Sequence, residues 1–253
     1  YGGGTKNGPK EIIKASHQVE LYDEELHCEP YKNIGIKTLK PFKIDKNIKK
    51  ALNKMSRINK EILDKKLFPM TFGGEHSITP GCIAPFVKKY KKIYLLHFDA
   101  HADLRESYNG EKFSHASAIK RCLDYKNVSI ISFGIRNISE SEIVFLKKNK
   151  ARMKIFWAKD KLKWNLKKFK KMIKDKTVYL TFDVDGLDSG IMPATGTPEP
   201  GGLLWDETLN IIKIAAKNSK IVGADINELA PIKGFNSYNF LVAKLAYKIL
   251  SYT

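Results

Sequence analysis

Residues 93–103 read IYLLHFDAHAD, in which an apolar run is followed by two carboxylates and one imidazole at alternate positions. The apolar run is typical of a buried strand, so the polar residues are expected at its carboxyl end. Because side chains alternate along an extended segment, Asp99, His101 and Asp103 are expected to reach one site together. This stretch therefore predicts a polar site at a strand end.

A second stretch repeats this pattern further along the chain. Residues 178–185 read VYLTFDVD, so Asp183 and Asp185 follow another apolar run. Desolvating several carboxylates together costs free energy through burial and mutual repulsion, and a bound cation is the commonest way to offset that cost. The two stretches together predict a metal site.

A third segment, GGEHS at residues 73–77, places His76 just after a predicted strand. Alone, such a histidine is more often a hydrogen-bonded core or cap residue than a metal ligand. The three segments together supply nitrogen and oxygen donors without sulfur, which suits a pair of Mn²⁺ ions better than a structural zinc. Two ions that share a water lower its pKa, so the implied reaction is hydrolysis. The six candidate ligands are His76, Asp99, His101, Asp103, Asp183 and Asp185.

Strand-like and helical patterns alternate along the chain, which predicts parallel strands joined by helical crossovers on both faces of the sheet. We expect an α/β protein, a single-domain three-layer α/β/α fold over residues 1–253 with a mostly parallel sheet. The predicted strands are 70–72, 93–98, 128–133, 154–157, 178–182 and 220–226. The predicted helices lie near 48–67, 79–89, 139–148, 166–174, 207–217 and 238–251.

The formal net charge of +18 raises the question of nucleic-acid binding. Only five of the 45 basic residues are Arg, the Lys residues are spread over many segments, and no nucleic-acid-binding motif is present, so we predict no nucleic-acid partner.

No run approaches the length of an apolar membrane helix, and a cytoplasmic protein is expected. Three widely spaced cysteines argue against a disulfide framework and against a zinc site of the CxxC type.

Four motifs carry a family resemblance: GGEHS at 73–77, DAHAD at 99–103, FDVDGLD at 182–188 and ATGTPEPGG at 194–202. In this order and spacing they resemble the ureohydrolases, the arginase and agmatinase family. The resemblance implies an arginase-like fold, a guanidino substrate, two Mn²⁺ ions per chain and a homo-oligomer, either a trimer or a hexamer. It also implies that the chain starts just after a short first strand, at Tyr1-Gly2-Gly3.

The resemblance also implies roles for the candidate ligands. Asp99 and Asp183 would bridge the two ions. One ion would be bound by His76, Asp99, Asp103 and Asp183, and the other by Asp99, His101, Asp183 and Asp185. An activated water would attack the guanidinium carbon, and the products would be urea and an amine.

Three residues are assigned to the catalytic set: His115, Glu228 and Asp103. His115 matches the family histidine that shuttles a proton, although without the family it would be read as a residue at a helix N-terminus. Glu228 matches the glutamate that pairs with the guanidinium, for which a planar bidentate carboxylate is the natural partner. His97 lies deeper in its strand, and we interpret it as structural.

Departures from arginase favour agmatine as the substrate, with putrescine and urea as products. Residues 104–106 read LRE and residues 115–117 read HAS, and both resemble agmatinases, as do Glu75 and the Glu199-Pro200 pair. Agmatine has no α-carboxylate, so a site without a carboxylate clamp suits it. The alternatives are a sibling ureohydrolase acting on guanidinobutyrate, N1-aminopropylagmatine or arginine, a noncatalytic Lys-rich binding protein on this scaffold, and a metal-dependent deacetylase with a single zinc.

Overall fold

The computed structural model describes residues 3–253, which contain six strands in one sheet. The order in the sheet is β1-β6-β5-β2-β3-β4, and every neighbouring pair is parallel. The bounds are β1 Met70–Phe72, β2 Ile93–Phe98, β3 Val128–Phe133, β4 Met153–Phe156, β5 Thr177–Asp183 and β6 Lys220–Asn227. The predicted α/β fold with parallel strands and helical crossovers is confirmed.

Nine α-helices accompany the strands in the described part of the chain. Six of them match predicted helices to within a few residues, which is the usual uncertainty of helix ends. The bounds are α1 Gly8–Ser16, α2 Pro30–Ile34, α3 Ile48–Asp64, α4 Thr79–Lys89, α5 Ala118–Leu123, α6 Glu140–Lys148, α7 Leu166–Ile173, α8 Trp205–Asn218 and α9 Asn236–Tyr252.

Three short helices, α1, α2 and α5, are absent from the sequence prediction. Helix α1 begins within a Gly- and Pro-rich stretch that reads as a loop, but Pro9 lies in its first turn, where a missing N–H costs nothing. Ile12 anchors α1 in the core with 1% of its surface exposed. The sequence-based expectation that the chain starts just after a short first strand concerns Tyr1 and Gly2, which lie outside the described residues.

Two hydrophobic cores cover the two faces of the sheet. Adjacent residues of β2 illustrate this, because Leu95 packs in one core and Leu96 in the other. One core is shared with α1, α7, α8 and α9, and the other with α3, α4, α5 and α6. Because apolar side chains cover both faces of the sheet, polar side chains can gather at the ends of the strands.

No helix among residues 3–253 combines the length and the apolar character that a bilayer crossing requires.

Phe133 offers a test of the core. It is fully buried on β3, its ring stacks on Phe156 with centroids 4.4 Å apart, and the edge of Phe169 meets it at 4.9 Å. Phe133→Ala should lower the free energy of unfolding by about 3–5 kcal/mol, because it removes these contacts and leaves a cavity. Leu162→Ala, at a fully exposed side chain, is the control and should leave the urea midpoint unchanged. Equal losses in the two variants would contradict this packing.

Candidate metal centre

Strand ends bring the predicted site residues together. Asp99 follows β2, Asp183 ends β5 and Glu228 follows β6, while His76 lies four residues beyond β1. Since β1, β6, β5 and β2 are parallel neighbours, their carboxyl ends lie at one edge of the sheet. The topology therefore converts four distant sequence segments into one cluster.

The first group of donor atoms surrounds His76. Its Nδ1 atom lies 3.1 Å from Asp99 Oδ2, 3.1 Å from Asp103 Oδ2 and 3.5 Å from Asp183 Oδ2. All four side chains are buried. Three carboxylate oxygens thus converge on one imidazole nitrogen.

The second group surrounds His101. Its Nδ1 atom lies 2.9 Å from Asp185 Oδ2 and 3.6 Å from Asp99 Oδ1. Asp99 therefore offers one carboxylate oxygen to each group. Asp183 contributes its Oδ2 to the first group, whereas its Oδ1 accepts a hydrogen bond from the Asp185 amide at 3.0 Å.

His76 is oriented as a ligand would be. Its Nε2 atom lies 2.9 Å from Thr181 Oγ1, which itself donates to Asp225 Oδ1 at 2.6 Å. Thr181 must therefore accept the proton of Nε2, so Nδ1 is the ring nitrogen that faces the carboxylates. That nitrogen is buried and makes no hydrogen bond of normal geometry within the described part of the chain. Burial lowers the pKa of His76, but the Asp103 and Asp99 carboxylates outweigh it and raise the pKa well above its usual value. A divalent cation among these oxygens would take the place of the Nδ1 proton, and the sulfur-free donor set suits such an ion.

The carboxylates strongly perturb one another. Burial raises the pKa of Asp183 well above its usual range, and the charges of Asp185 and Asp99 raise it further. Burial and the charge of Asp99 also raise the pKa values of Asp103 and Asp185. Asp99 differs: burial acts to raise its pKa, but interactions with His101, His76 and His97 outweigh burial and hold the pKa well below the usual range. Without a cation these groups compete for protons, and a divalent ion would replace the protons as the neutralising charge.

His97, which the sequence indicates is structural, contacts the candidate ligand Asp99 directly. Its Nε2 atom lies 2.9 Å from Asp99 Oδ2 and its Nδ1 atom 3.0 Å from Ser132 Oγ. The imidazole therefore fixes the orientation of Asp99 from inside the sheet. The even spacing of positions 97 and 99 was the available signal, because it puts both side chains on the same side of the strand.

Glu228 lies beside the first donor group. Its Oε1 atom accepts a hydrogen bond from the His76 amide at 2.6 Å, and its own amide donates to Gly74 O at 2.8 Å. Burial raises the pKa of Glu228 to about 7. The backbone at Glu228 is left-handed, with φ of 66°, and Asp103 shares this conformation with φ of 52°. Left-handed backbone also occurs at non-glycine residues outside the site, such as Lys66 and Asp175, so it does not by itself mark a functional residue.

His115 lies at the rim of the site, where about half of its side chain is exposed. Its Nδ1 atom lies 3.7 Å from Glu75 Oε2, and the Tyr108 ring packs against it with centroids 5.5 Å apart. Interaction with the Glu75 carboxylate raises the pKa of His115, and the charges of Glu228 and Asp103 act in the same direction. A solvent-accessible, protonated imidazole beside buried carboxylates can exchange protons with water.

Gly186 allows the two acidic segments to approach each other. A Cβ atom at this position would lie 2.7 Å from the Asp99 amide nitrogen, a distance that real side chains do not tolerate. The backbone after β5 can therefore pack directly against the backbone after β2.

A parallel α/β sheet whose carboxyl edge carries two groups of carboxylate and imidazole donors is an arrangement suited to a metal-dependent hydrolase. The sequence model of the Arginase family matches residues 1–251. The chain belongs to this family, whose members hydrolyse guanidino compounds.

Two relatives and one solved structure illustrate the similarity. The N(1)-aminopropylagmatine ureohydrolase of Synechocystis sp. is 33% identical over 262 residues, covering 100% of this chain and 84% of the relative. The agmatinase of Bacillus anthracis is 35% identical over 238 residues, covering 92% of this chain and 79% of the relative. The crystal structure of the agmatine ureohydrolase of Thermoplasma volcanium matches with a TM-score of 0.89 and 29% identity, covering 100% of this chain and 84% of that chain.

Asp183→Asn tests whether the cluster is built for a cation. At pH 8 the metal-free variant should be more stable than wild type, on the order of 1 kcal/mol, because one buried charge is removed while Oδ1 still accepts from the Asp185 amide. The sign follows from the raised pKa of Asp183, because such a carboxyl costs stability as pH rises above its unfolded-state pKa of about 3.9, and the cost is complete once pH exceeds the folded-state pKa. Thermal unfolding without and with Mn²⁺ measures the effect of the substitution on stability and on stabilisation by the metal.

Added Mn²⁺ should stabilise wild type by about 2.7 kcal/mol per bound ion when its concentration is a hundredfold above the dissociation constant, and the variant by much less. Asp64→Asn, at an exposed residue of α3 paired with Lys60, is the matched control and should respond as wild type does. A metal-free Asp183→Asn protein that is less stable than wild type and still gains full stability from Mn²⁺ would contradict the assignment.

Proposed function

We propose that this chain is a binuclear manganese hydrolase that converts agmatine and water to putrescine and urea. The observation that carries the proposal is the position of Asp99, which presents one oxygen to the His76 group and the other to the His101 group. When bound there, two divalent ions would lower the pKa of a shared water and so supply the nucleophile near neutral pH. The residues proposed to hold them are His76, Asp99, Asp103 and Asp183 for the first ion, and Asp99, His101, Asp183 and Asp185 for the second.

The proposed role of Glu228 is to bind the guanidinium group. A carboxylate accepts two parallel N–H donors from a planar guanidinium, and this carboxylate is held beside the first donor group by the His76 amide. Glu228 would thereby orient the guanidinium carbon toward the attacking water. Its ionised form is required for this pairing, and a neighbouring cation would favour that form.

The proposed role of His115 is proton transfer at the rim. Water adds to the guanidinium carbon, the bond from that carbon to the substituted nitrogen breaks, and this nitrogen needs a proton to leave as an amine. A protonated His115 can donate that proton and recover it from solvent, and Glu75 stabilises its charged form. Asp103 adds negative charge that also favours the charged imidazole.

Agmatine is favoured over other guanidino compounds by the residues around the site. Residues 104–106 and 115–117 resemble agmatinases, and the Bacillus anthracis relative named agmatinase supports the same choice. The exposed carboxylate of Glu75 at the rim suits a substrate whose far end is an ammonium. N1-aminopropylagmatine is the second candidate, because the relative bearing that activity in its name aligns with the whole chain.

The donor set argues against two alternative functions. The donor set contains more carboxylates than a single-zinc deacetylase needs, and a noncatalytic scaffold has no evident use for so many buried charges. The homo-oligomeric assembly and the cytoplasmic location stay predictions.

Urea release is the direct test of substrate and chemistry. The Mn²⁺-loaded protein should release urea from agmatine and much less from N1-aminopropylagmatine, guanidinobutyrate or arginine at matched concentrations. Urea from N1-aminopropylagmatine in preference to agmatine would replace the substrate and keep the chemistry. No urea from any of the four compounds would contradict the proposed reaction.

Two substitutions separate metal binding from proton transfer. Asp99→Ala should abolish both activity and metal binding, because it removes an oxygen from each donor group. His115→Ala should keep two bound ions and reduce turnover by about 10²- to 10⁴-fold, the usual contribution of a general acid or base. Metal content and turnover are measured together for each variant. Activity retained by Asp99→Ala would refute the scheme.

A further inference from the structure

Arg136 lies just beyond β3, and its guanidinium is directed at main-chain carbonyls rather than at a carboxylate. Nη2 donates to Asp185 O at 2.8 Å, to Leu187 O at 3.1 Å and to Glu199 O at 2.7 Å. Nη1 donates to Gly134 O at 3.0 Å and lies 3.4 Å from Gly186 O. One side chain therefore links the end of β3, the segment after β5 and the loop that contains Glu199.

The backbone of the same segment holds the other acidic stretch. The amides of Arg136 and Asn137 both donate to Ala100 O, at 2.8 and 3.0 Å. Ala100 lies between Asp99 and His101, and its own amide donates to Asp185 Oδ1 at 3.0 Å. The backbone at residues 136–137 and the Arg136 side chain together hold the two stretches that form the second donor group.

Glu199 connects this arrangement to His101. Asn137 Nδ2 donates to Glu199 Oε1 at 2.7 Å, and that oxygen lies 3.9 Å from His101 Nε2. His101 thus has its Nδ1 atom toward the donor group and its Nε2 atom toward a carboxylate. Carboxylates behind a ligating imidazole are a common means of fixing its orientation.

We propose that Arg136 is a positioning residue for the second metal ion, setting the place of Asp185 through its main chain and of Glu199 behind His101. This inference rests on the proposed binuclear centre and adds to it a residue that contacts neither metal nor substrate. Its effect is selective, because the carbonyls that it binds belong to the segments of the second donor group. The hydrogen bonds of the Arg136 guanidinium go to residues 134, 185–187 and 199. None of them goes to His76 or Asp103 of the first group.

Arg136→Lys is the variant of choice, since it keeps the positive charge and removes the planar fork. A single ammonium cannot reach carbonyls from three segments at once. Arg152 provides a matched control, because its Nη1 atom also donates to main-chain carbonyls, Leu123 O at 3.0 Å and Tyr125 O at 3.1 Å. These carbonyls precede β3, at the opposite edge of the sheet from the donor groups. Arg152→Lys therefore reproduces the loss of carbonyl contacts without touching the site.

Mn²⁺ titration of the metal-free wild type and both variants is the experiment, with bound ions counted after dialysis and electron paramagnetic resonance recorded at each step. Wild type and Arg152→Lys should bind two ions and give the spectrum of a spin-coupled pair. Arg136→Lys should bind its first ion normally and its second about 10- to 100-fold more weakly, the range known for residues behind metal ligands, with the spectrum of an isolated ion at low loading.

The outcomes separate this inference from the function it rests on. Two normally bound, spin-coupled ions in Arg136→Lys would overturn the role of Arg136 and leave the binuclear centre standing. Equal weakening in both Lys variants would also overturn it, because the effect would then follow from general loss of stability. No Mn²⁺ bound by wild type would overturn both.

Hydrogen exchange of the wild-type protein keeps the inference testable if Arg136→Lys does not fold. If Arg136 positions the segment, the amides of residues 185–188 should already be protected in the metal-free protein. Rapid exchange of these amides until Mn²⁺ is added would show that the ion orders the segment, and it would overturn the proposal.

Discussion

Repulsion among four buried aspartates at the carboxyl edge of the sheet is the constraint on which the rest of the structure depends. Asp99, Asp103, Asp183 and Asp185 have at most 6% of their surface exposed, and burial acts to raise the pKa of all four, although contacts with histidines leave the pKa of Asp99 below its usual range. No packing of apolar side chains can compensate for so much negative charge in a small volume. The cluster is consistent only with a bound cation or with extra protons, and the convergence of three carboxylate oxygens on His76 Nδ1 suits a cation.

Three layers of contacts hold the cluster in place. The parallel sheet brings the segments to one edge, and its two apolar cores fix the strands beneath them. Buried polar partners then orient single ligands, as Thr181 does for His76 and His97 for Asp99. Arg136 belongs to a third layer, in which a side chain binds the main chain of the ligand segments. Rigid support of this kind keeps donor atoms in place even though they repel one another.

Much of the fold could be predicted from local sequence, because strands buried on both faces are continuous apolar runs. Strands β1, β2 and β3 match their predicted bounds, while β4 begins and ends one residue earlier, β5 is one residue longer at each end and reaches Asp183, and β6 ends one residue later. Short helices such as α5 have too few turns to show a helical period. The six candidate ligands could be identified because each follows a strand and the topology unites strand ends.

The rest of the site depends on contacts that local patterns do not encode. The left-handed backbone at Asp103 and Glu228 is held by tertiary structure against the preference of both residues. Arg136 reads as an ordinary loop residue, and its significance comes from carbonyls 49 to 63 positions away. His97 was placed in the strand interior correctly, but its contact with Asp99 became visible only in three dimensions.

The most direct test of the central claim is anomalous diffraction at the manganese edge from crystals grown with Mn²⁺. Two peaks per chain are expected, one among His76, Asp99, Asp103 and Asp183 and the other among Asp99, His101, Asp183 and Asp185, with Asp99 and Asp183 near both. A single peak, or peaks elsewhere on the chain, would contradict a binuclear centre built on a shared aspartate.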